Sequence, residues 1–330
     1  MDTLKELESI DLMDSEETSS QFYKDVVNGL KAPQKHLSSK YFYNEHGDIL
    51  FQKIMNCKDY YLTRAEMDIF QNSSAQLADG IRANASAFDL IELGAGDATK
   101  TFHLLKYLKE QNTDFRYLPI DISGYILDIL ENNLFASLPN LSVCPIQGDY
   151  FEALQKACEL SSNRKVILFL GANIGNMSPK ESLNFCRKLS QNLTKGDRII
   201  IGFDLKKNPA TILKAYNDNE GFTSQFNLNL LVRINQELKG NFNIANFEHY
   251  QTYDPETGAC KSYLVSLCKQ EVTIGSETIS FTQSESIFME VSQKYALTEI
   301  EKMAFESGFK PILNCFDTHN YFVDAIWEVA

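Results

Sequence analysis

Residues 88–101 read FDLIELGAGDATKT, an apolar run that ends in a glycine-bearing turn and passes straight into an amphipathic stretch. The run 88–94 has the length of a strand and no polar alternation, which is how a strand buried on both faces of a parallel sheet reads. Gly94 and Gly96 stand where strand gives way to helix. Glycine there lets the backbone approach a ligand closely, and the helix start supplies free N–H groups. A bare G-x-G turn after a strand fits a tight βα connection as well as a binding site, so its surroundings decide.

Outward from this stretch the pattern repeats. Short apolar runs at 117–122, 141–149, 165–171 and 198–204 alternate with helical patterns at 98–110, 125–138 and 179–193. Ser178 followed by Pro179 and Glu181 predicts a helix start, with Ser178 as cap and Pro179 at the first helical position. Strand and helix in alternation predict right-handed βαβ units and an α/β, doubly wound sheet. The polar groups fall at the carboxyl ends of the strands, where such sheets bind ligands. Asp121 ends the second strand, as an acid does that accepts from ribose hydroxyls. Gly148-Asp149-Tyr150 ends the third, pairing an acid with an aromatic ring suited to adenine. The fourth ends in the polar loop Gly171-Ala-Asn-Ile-Gly-Asn176. A lone acid at a strand end is usually a turn residue or a helix cap; four such features in register mark a site. Thr99 occupies the third glycine position of G-x-G-x-x-G, which disfavours a nicotinamide-dependent oxidoreductase.

Composition narrows the class. The 330 residues are 44% hydrophobic and 23% charged, ordinary for a globular protein and long enough for two domains. A net charge of −13 speaks against nucleic-acid binding. The seven cysteines are scattered without a CxxC, so neither a disulfide framework nor a zinc site is indicated. The five histidines show no ligand spacing, and no metal is expected. The opening MDTLKELESIDLMDSEE lacks the features of a signal peptide, and no apolar run reaches the length of a membrane span, so a cytoplasmic protein without membrane attachment is expected.

From 205 to 295 the pattern changes. Two helical segments (210–218 and 224–238) precede alternating stretches at 248–254, 261–270, 271–281 and 287–295, separated by turn signals such as DPETG and GSE. This predicts antiparallel sheet in a second, α+β domain. The tail returns to the first pattern, with a helix from 297 and a closing hairpin around DTHN. The expected organisation is a first domain from 64–204 and 296–330, and a second from 14–63 and 205–295.

The E-x-G-x-G turn, the ribose acid and the Asp-Tyr pair together resemble class I S-adenosylmethionine (SAM) methyltransferases. More specifically, KYFYNEHGDILFQKI, DYYLTRAE, IELGAGDATKT, FLGANIGN, DLKK, AYND with FNLNLL, FEHY and MEVSQKY resemble the histidine-specific Nα-methyltransferases of ergothioneine biosynthesis, from about Lys35 to the C-terminus. The resemblance implies SAM as cofactor and L-histidine as the small-molecule substrate, methylated three times to trimethylhistidine (hercynine). It implies that Tyr43, Gly94, Lys100, Asp121, Asp149 and Tyr150 serve the cofactor. It further implies that Tyr60, Gly171, Asn176, Tyr216, Glu290 and Ser292 serve the substrate, Asn176 and Tyr216 at its carboxylate and Glu290 and Ser292 at its imidazole. No side chain is implied as a covalent or acid–base catalyst. One departure stands at Ser262, where many family members carry a methionine; this opens the alternative of another amino acid or a related small amine. A cofactor sensor without turnover keeps the same motifs and differs only in activity. Nothing in the sequence sets an oligomeric state.

Overall fold

The computed structural model describes residues 20–82 and 87–330. The N-terminal stretch read for a signal peptide, and residues 14–19 of the expected second domain, lie outside the described residues. Twelve strands lie among those described: β1 Ala87–Leu93, β2 Asp114–Asp121, β3 Ile146–Gln147, β4 Arg164–Phe169, β5 Arg198–Asp204, β6 Phe247–Tyr253, β7 Ala259–Ser266, β8 Gln270–Ile274, β9 Glu277–Phe281, β10 Ser286–Gln293, β11 Phe309–Phe316 and β12 Phe322–Val329.

The chain divides into two compact units. The larger comprises Tyr61–Lys207 with Gln293–Ala330, and the smaller the described residues up to Tyr60 with Asn208–Ser292. Tyr61, Leu62 and Thr63, residues 205–207 and residues 293–295 thus fall in the larger unit, where the sequence reading had put them in the other. The reason is chemical: Tyr61, Lys207 and Lys294 all bind the carboxylate of Asp204 at the end of β5.

In the larger unit seven strands form one sheet in the order β11-β12-β5-β4-β1-β2-β3. Strands β1 to β5 run parallel, and β12 runs antiparallel to both its neighbours. The expected doubly wound sheet is therefore present, finished by the expected hairpin. The order reverses between β1 and β4, so the carboxyl ends of these strands open the crevice in which such sheets bind ligands. Leu90, Ile91, Val166, Ile167, Ile200, Ile201 and Trp327 are fully buried, which explains why these strands read as unbroken apolar runs. The helix Pro179–Gln191 starts as the sequence predicts: Ser178 Oγ accepts the Glu181 N–H, while Glu181 accepts the Ser178 N–H at 2.8 Å. The third strand is shorter than expected, only Ile146–Gln147 of 141–149. Pro145 brings no N–H to a ladder, and before it the chain joins β2 through the Tyr117–Ser142 and Cys144–Tyr117 backbone bonds alone.

The smaller unit holds two sheets where one was expected, β10-β7-β6 and the hairpin β8-β9. Buried and exposed residues alternate along β7 and β8, the mark of sheets with one face on a core. That core joins Leu264, Val272, Ile287 and Met289 to Phe226, Leu230 and Ile234 of the helix Phe222–Glu237. Val26 and Leu30 of Gln21–Lys31, and Leu50 and Ile54 of Glu45–Asn56, complete this same core. No helix among the described residues is long and apolar enough to cross a membrane.

Candidate functional site

A cleft of about 240 Å³ opens at the carboxyl ends of β1 and β2, lined by Gly94, Asp121, Ile122, Gly148, Asp149 and Tyr150. Five residues singled out from sequence meet here. Gly94 has φ +70°, and a Cβ on it would stand 2.9 Å from the Tyr150 hydroxyl, so both backbone and neighbour require glycine. Gly96, with φ +54°, faces open space: a Cβ there would meet nothing within 4 Å. Asp121 accepts the Gly96 N–H through one oxygen (3.1 Å) and the Ser123 N–H through the other (3.0 Å), which fixes the carboxylate against the glycine turn. Asp149 caps the helix Tyr150–Glu159 by accepting the Phe151 N–H at 3.2 Å. Burial, with Asp121 and Asp149 nearby, pushes the Tyr150 phenol up, so it remains a donor at neutral pH. Ile122, 79% exposed, adds an apolar wall. Carboxylates that accept hydroxyls, an apolar wall and ring, and bare backbone beside the turn suit a nucleoside with a polar tail.

Beneath the glycine turn lies a buried charged group. Lys100 pairs with Glu66, which is fully buried on the helix Leu62–Asn72, and the other Glu66 oxygen accepts the Gly171 N–H at 2.7 Å. Gly171 itself has φ +76°, and a Cβ on it would lie 3.7 Å from Lys100 Nζ. Burial works against the Lys100 ammonium, but the surrounding carboxylates, Glu66 foremost, outweigh it and hold its pKa above the ordinary value. Glu92, the acid of E-x-G-x-G, accepts the hydroxyls of Thr101 (2.7 Å) and Tyr117 (2.5 Å), and burial pushes it up to about 7. Asn176 ends the one-turn helix Asn173–Asn176 after β4 and is exposed.

In the smaller unit the Tyr216 and Ser292 hydroxyls lie 2.7 Å apart, both residues buried. The Tyr60 ring meets the Tyr216 ring edge-on at 6.0 Å. Glu290, two residues before Ser292 on β10, is half-buried. A polar pair at i, i+2 on a strand usually lies on the solvent face; Ser292 does not. Tyr43 is 46% exposed and leans on Phe51 and Phe226 at 5.5 and 5.6 Å. Ser262 is buried on β7 and donates to Gln251 on β6 at 2.8 Å. Gly171 and Asn176, the remaining two of the substrate group, belong to the larger unit.

Two clusters went unread in the sequence. Asp204 accepts from Tyr61 (2.8 Å), Lys294 (2.7 Å) and Lys207, so the second lysine of DLKK and the lysine of SQKY converge on one carboxylate. Glu66 stands on the buried stripe of its helix with Leu62, Ala65, Ile69 and Phe70; an acid inside an apolar stripe is the signal that could have found it. Cys57, Asp59 and Glu220 bring their polar atoms within 4.8 Å of one another. Asp59 is held by Lys214 at 2.8 Å, the Cys57 thiol donates to Glu220 at 3.1 Å, and burial pushes that thiol up. This is a hydrogen-bonded group with a protonated thiol.

The seven-stranded sheet and its cleft define a class I methyltransferase fold. The profile of the family described as histidine-specific, SAM-dependent methyltransferases matches residues 22–329, and the chain belongs to that family. Its cofactor is S-adenosylmethionine. The histidine N-alpha-methyltransferase of Mycobacterium tuberculosis is similar at 32% identity over 274 residues, 82% of this chain and 84% of that one. That of Mycolicibacterium smegmatis is 31% identical over 289 residues, 87% of this chain and 88% of the other. Ergothioneine biosynthesis protein 1 of Schizosaccharomyces pombe is 28% identical over 83% of this chain, which spans 36% of that protein.

Proposed function

We propose that this enzyme methylates the α-amino nitrogen of L-histidine three times in succession, giving the trimethylated amino acid. The observation that carries the reading is the buried Tyr216–Ser292 hydroxyl pair with Glu290 two residues away on the same strand. Glu290 accepts an imidazole N–H, and Ser292 serves the other ring nitrogen as donor or acceptor. Tyr216 and Asn176, both neutral donors, are assigned to the substrate carboxylate, and Gly171 and Tyr60 join them in the substrate group. Neutral donors grip a carboxylate without placing a second ammonium beside the nucleophilic amine.

SAM supplies an electrophilic methyl group on a sulfonium. Asp121 would take the ribose hydroxyls, Asp149 and Tyr150 the adenine, and Gly94 and Lys100 the amino acid end; Tyr43 is assigned to the cofactor by the family resemblance alone. The residues present thus bind, orient and exclude water, which is what an in-line transfer to a neutral amine needs. No oxyanion develops, so none of them has to stabilise one. The acceptor nitrogen, an ammonium when free in water, gives up one proton to solvent before each of the three transfers and is quaternary after the third.

Ser262 supports a second reading. Its side chain is short and occupied by Gln251, so the pocket wall at this position differs from the methionine of related chains, and another amino acid or small amine is the alternative acceptor. The test is mass spectrometry after incubation with SAM and all twenty amino acids. Trimethylated histidine alone supports the first reading; methylation of another amino acid moves the substrate; no product with any of them overturns the histidine reading and moves the acceptor to a small amine outside the set.

A further inference from the structure

Glu66 is wholly buried, and both of its oxygens are engaged. One accepts the Gly171 N–H at 2.7 Å and the other the Lys100 ammonium. The fold makes room for it: Gly202 on β5 lies so close that a Cβ there would stand 2.5 Å from the Glu66 carboxylate. Two other acids face Lys100, Glu92 from β1 and Asp324 from β12. Burial pushes Glu92 up to about 7. Asp324 is fully buried, neither of its oxygens has a hydrogen-bond partner among the described residues, and burial, with Glu66 nearby, pushes its carboxyl well above the ordinary range. Of the three, Glu66 is the one hydrogen-bonded to the Lys100 ammonium. A buried ammonium stripped of its counter-charge gives up its proton or moves.

We propose that Glu66 is the positioning residue of the methyl-transfer site, fixing with one carboxylate the Lys100 ammonium on the cofactor side and the Gly171 amide on the substrate side. The proposal rests on the reading of Lys100 and Gly171 given above. It adds that the two ligand subsites share one anchor. A change in the charge of Glu66 acts on the cofactor through Lys100, whereas a loss of its acceptor oxygen acts on the substrate through Gly171.

Glu66→Gln and Glu66→Ala separate the two roles, because the amide keeps an acceptor for the Gly171 N–H and loses the charge. The readouts are calorimetric affinity for S-adenosylhomocysteine, which keeps the cofactor's amino acid end, and the KM for the amino acid substrate. Expected for Glu66→Gln is cofactor binding weaker by at least about tenfold, with substrate KM near wild type. The ratio of variant to wild-type affinity should worsen from about pH 7 to about pH 9 as Lys100 loses its proton. Glu66→Ala should raise the substrate KM as well. A folded Glu66→Gln enzyme that binds the cofactor like wild type across this range overturns the proposal. So does an equal, pH-independent loss in both variants, since that is what a purely structural role gives. If Glu66→Ala fails to fold, the pH profile of Glu66→Gln still decides. Lys100→Met tests the underlying reading separately: if it binds S-adenosylhomocysteine like wild type, the assignment of Lys100 is at fault, whatever Glu66 does.

Discussion

The Tyr216 and Ser292 hydroxyls stand 2.7 Å apart, one following the helix Pro209–Ala215 and the other near the end of β10, and both residues are buried. Two hydroxyls that share a hydrogen bond orient each other's remaining lone pairs and proton, so neither presents itself to a ligand independently. Tyr216→Phe and Ser292→Ala should each weaken histidine binding by about 1–3 kcal/mol. The double variant should lose less than the sum, with a coupling of roughly 1 kcal/mol. Calorimetry on the four proteins measures it, and strict additivity would show that the pair does not act as a unit.

Cofactor and substrate losses should separate by residue. Asp121→Ala is expected to weaken SAM binding by about 1–3 kcal/mol and spare histidine, and Glu290→Ala to do the reverse. Titration of each variant with both ligands checks this. A variant that binds both like wild type removes that residue from its role.

Gly94→Ala should abolish cofactor binding for two reasons at once, the left-handed backbone and the Tyr150 hydroxyl 2.9 Å from the new methyl. The backbone strain alone is worth about 1 kcal/mol. Adding Tyr150→Phe removes the obstructing oxygen and should restore part of the affinity, measurable as a lower Kd for the double variant than for Gly94→Ala.

Lys294 is fully buried against Asp204. Asp204→Asn removes the carboxylate charge that Lys294 and Lys207 share, and should lower the unfolding free energy by about 3–5 kcal/mol in urea titration. Burial opposes the Asp204 carboxylate, but Lys294 and Lys207 hold its pKa below the ordinary value of 3.8. Its contribution is therefore present above that value and fades as pH falls through the folded pKa. A wild-type stability with no acid-side loss beyond that of Asp204→Asn would contradict this.

Glu92 works in the opposite sense. Burial raises it from 4.5 to about 7, so the native state keeps a proton that the unfolded chain has released. Stability should be fully present below about 4.5 and decline as pH rises to about 7, by on the order of 3 kcal/mol. Glu92→Gln should flatten this decline, as denaturation curves across the range would show; an unchanged slope would mean that another group produces it.

The parallel sheet could be read from the chain because burial on both faces leaves contiguous apolar runs, of which 88–94 and 198–204 are the plainest. The third strand could not, because Leu141, Val143 and Ile146 look like strand residues while Pro145 interrupts the ladder. The cleft residues Gly94, Asp121 and Tyr150 were readable because all sit at strand ends, a position that topology dictates. Ser292 was readable only through its neighbours, since alternation alone placed it on the wrong face. Glu66 and the Asp204 cluster were not, because Lys100 and Gly171 for the one, and Tyr61 and Lys294 for the other, are distant in sequence and meet only through packing.

The chain passes between the two units three times, and the larger unit's Tyr61, Lys207 and Lys294, at or next to those passages, all end on Asp204. Segment 208–292 therefore leaves and returns at nearly one point, and the bridge between Leu205 and Tyr295 secures the neck. An excursion closed in this way adds little loop entropy to the folding of the sheet it departs from. Segment 208–292 can therefore change in length without relocating a strand of that sheet, and Asp204 is the staple that any such change has to keep.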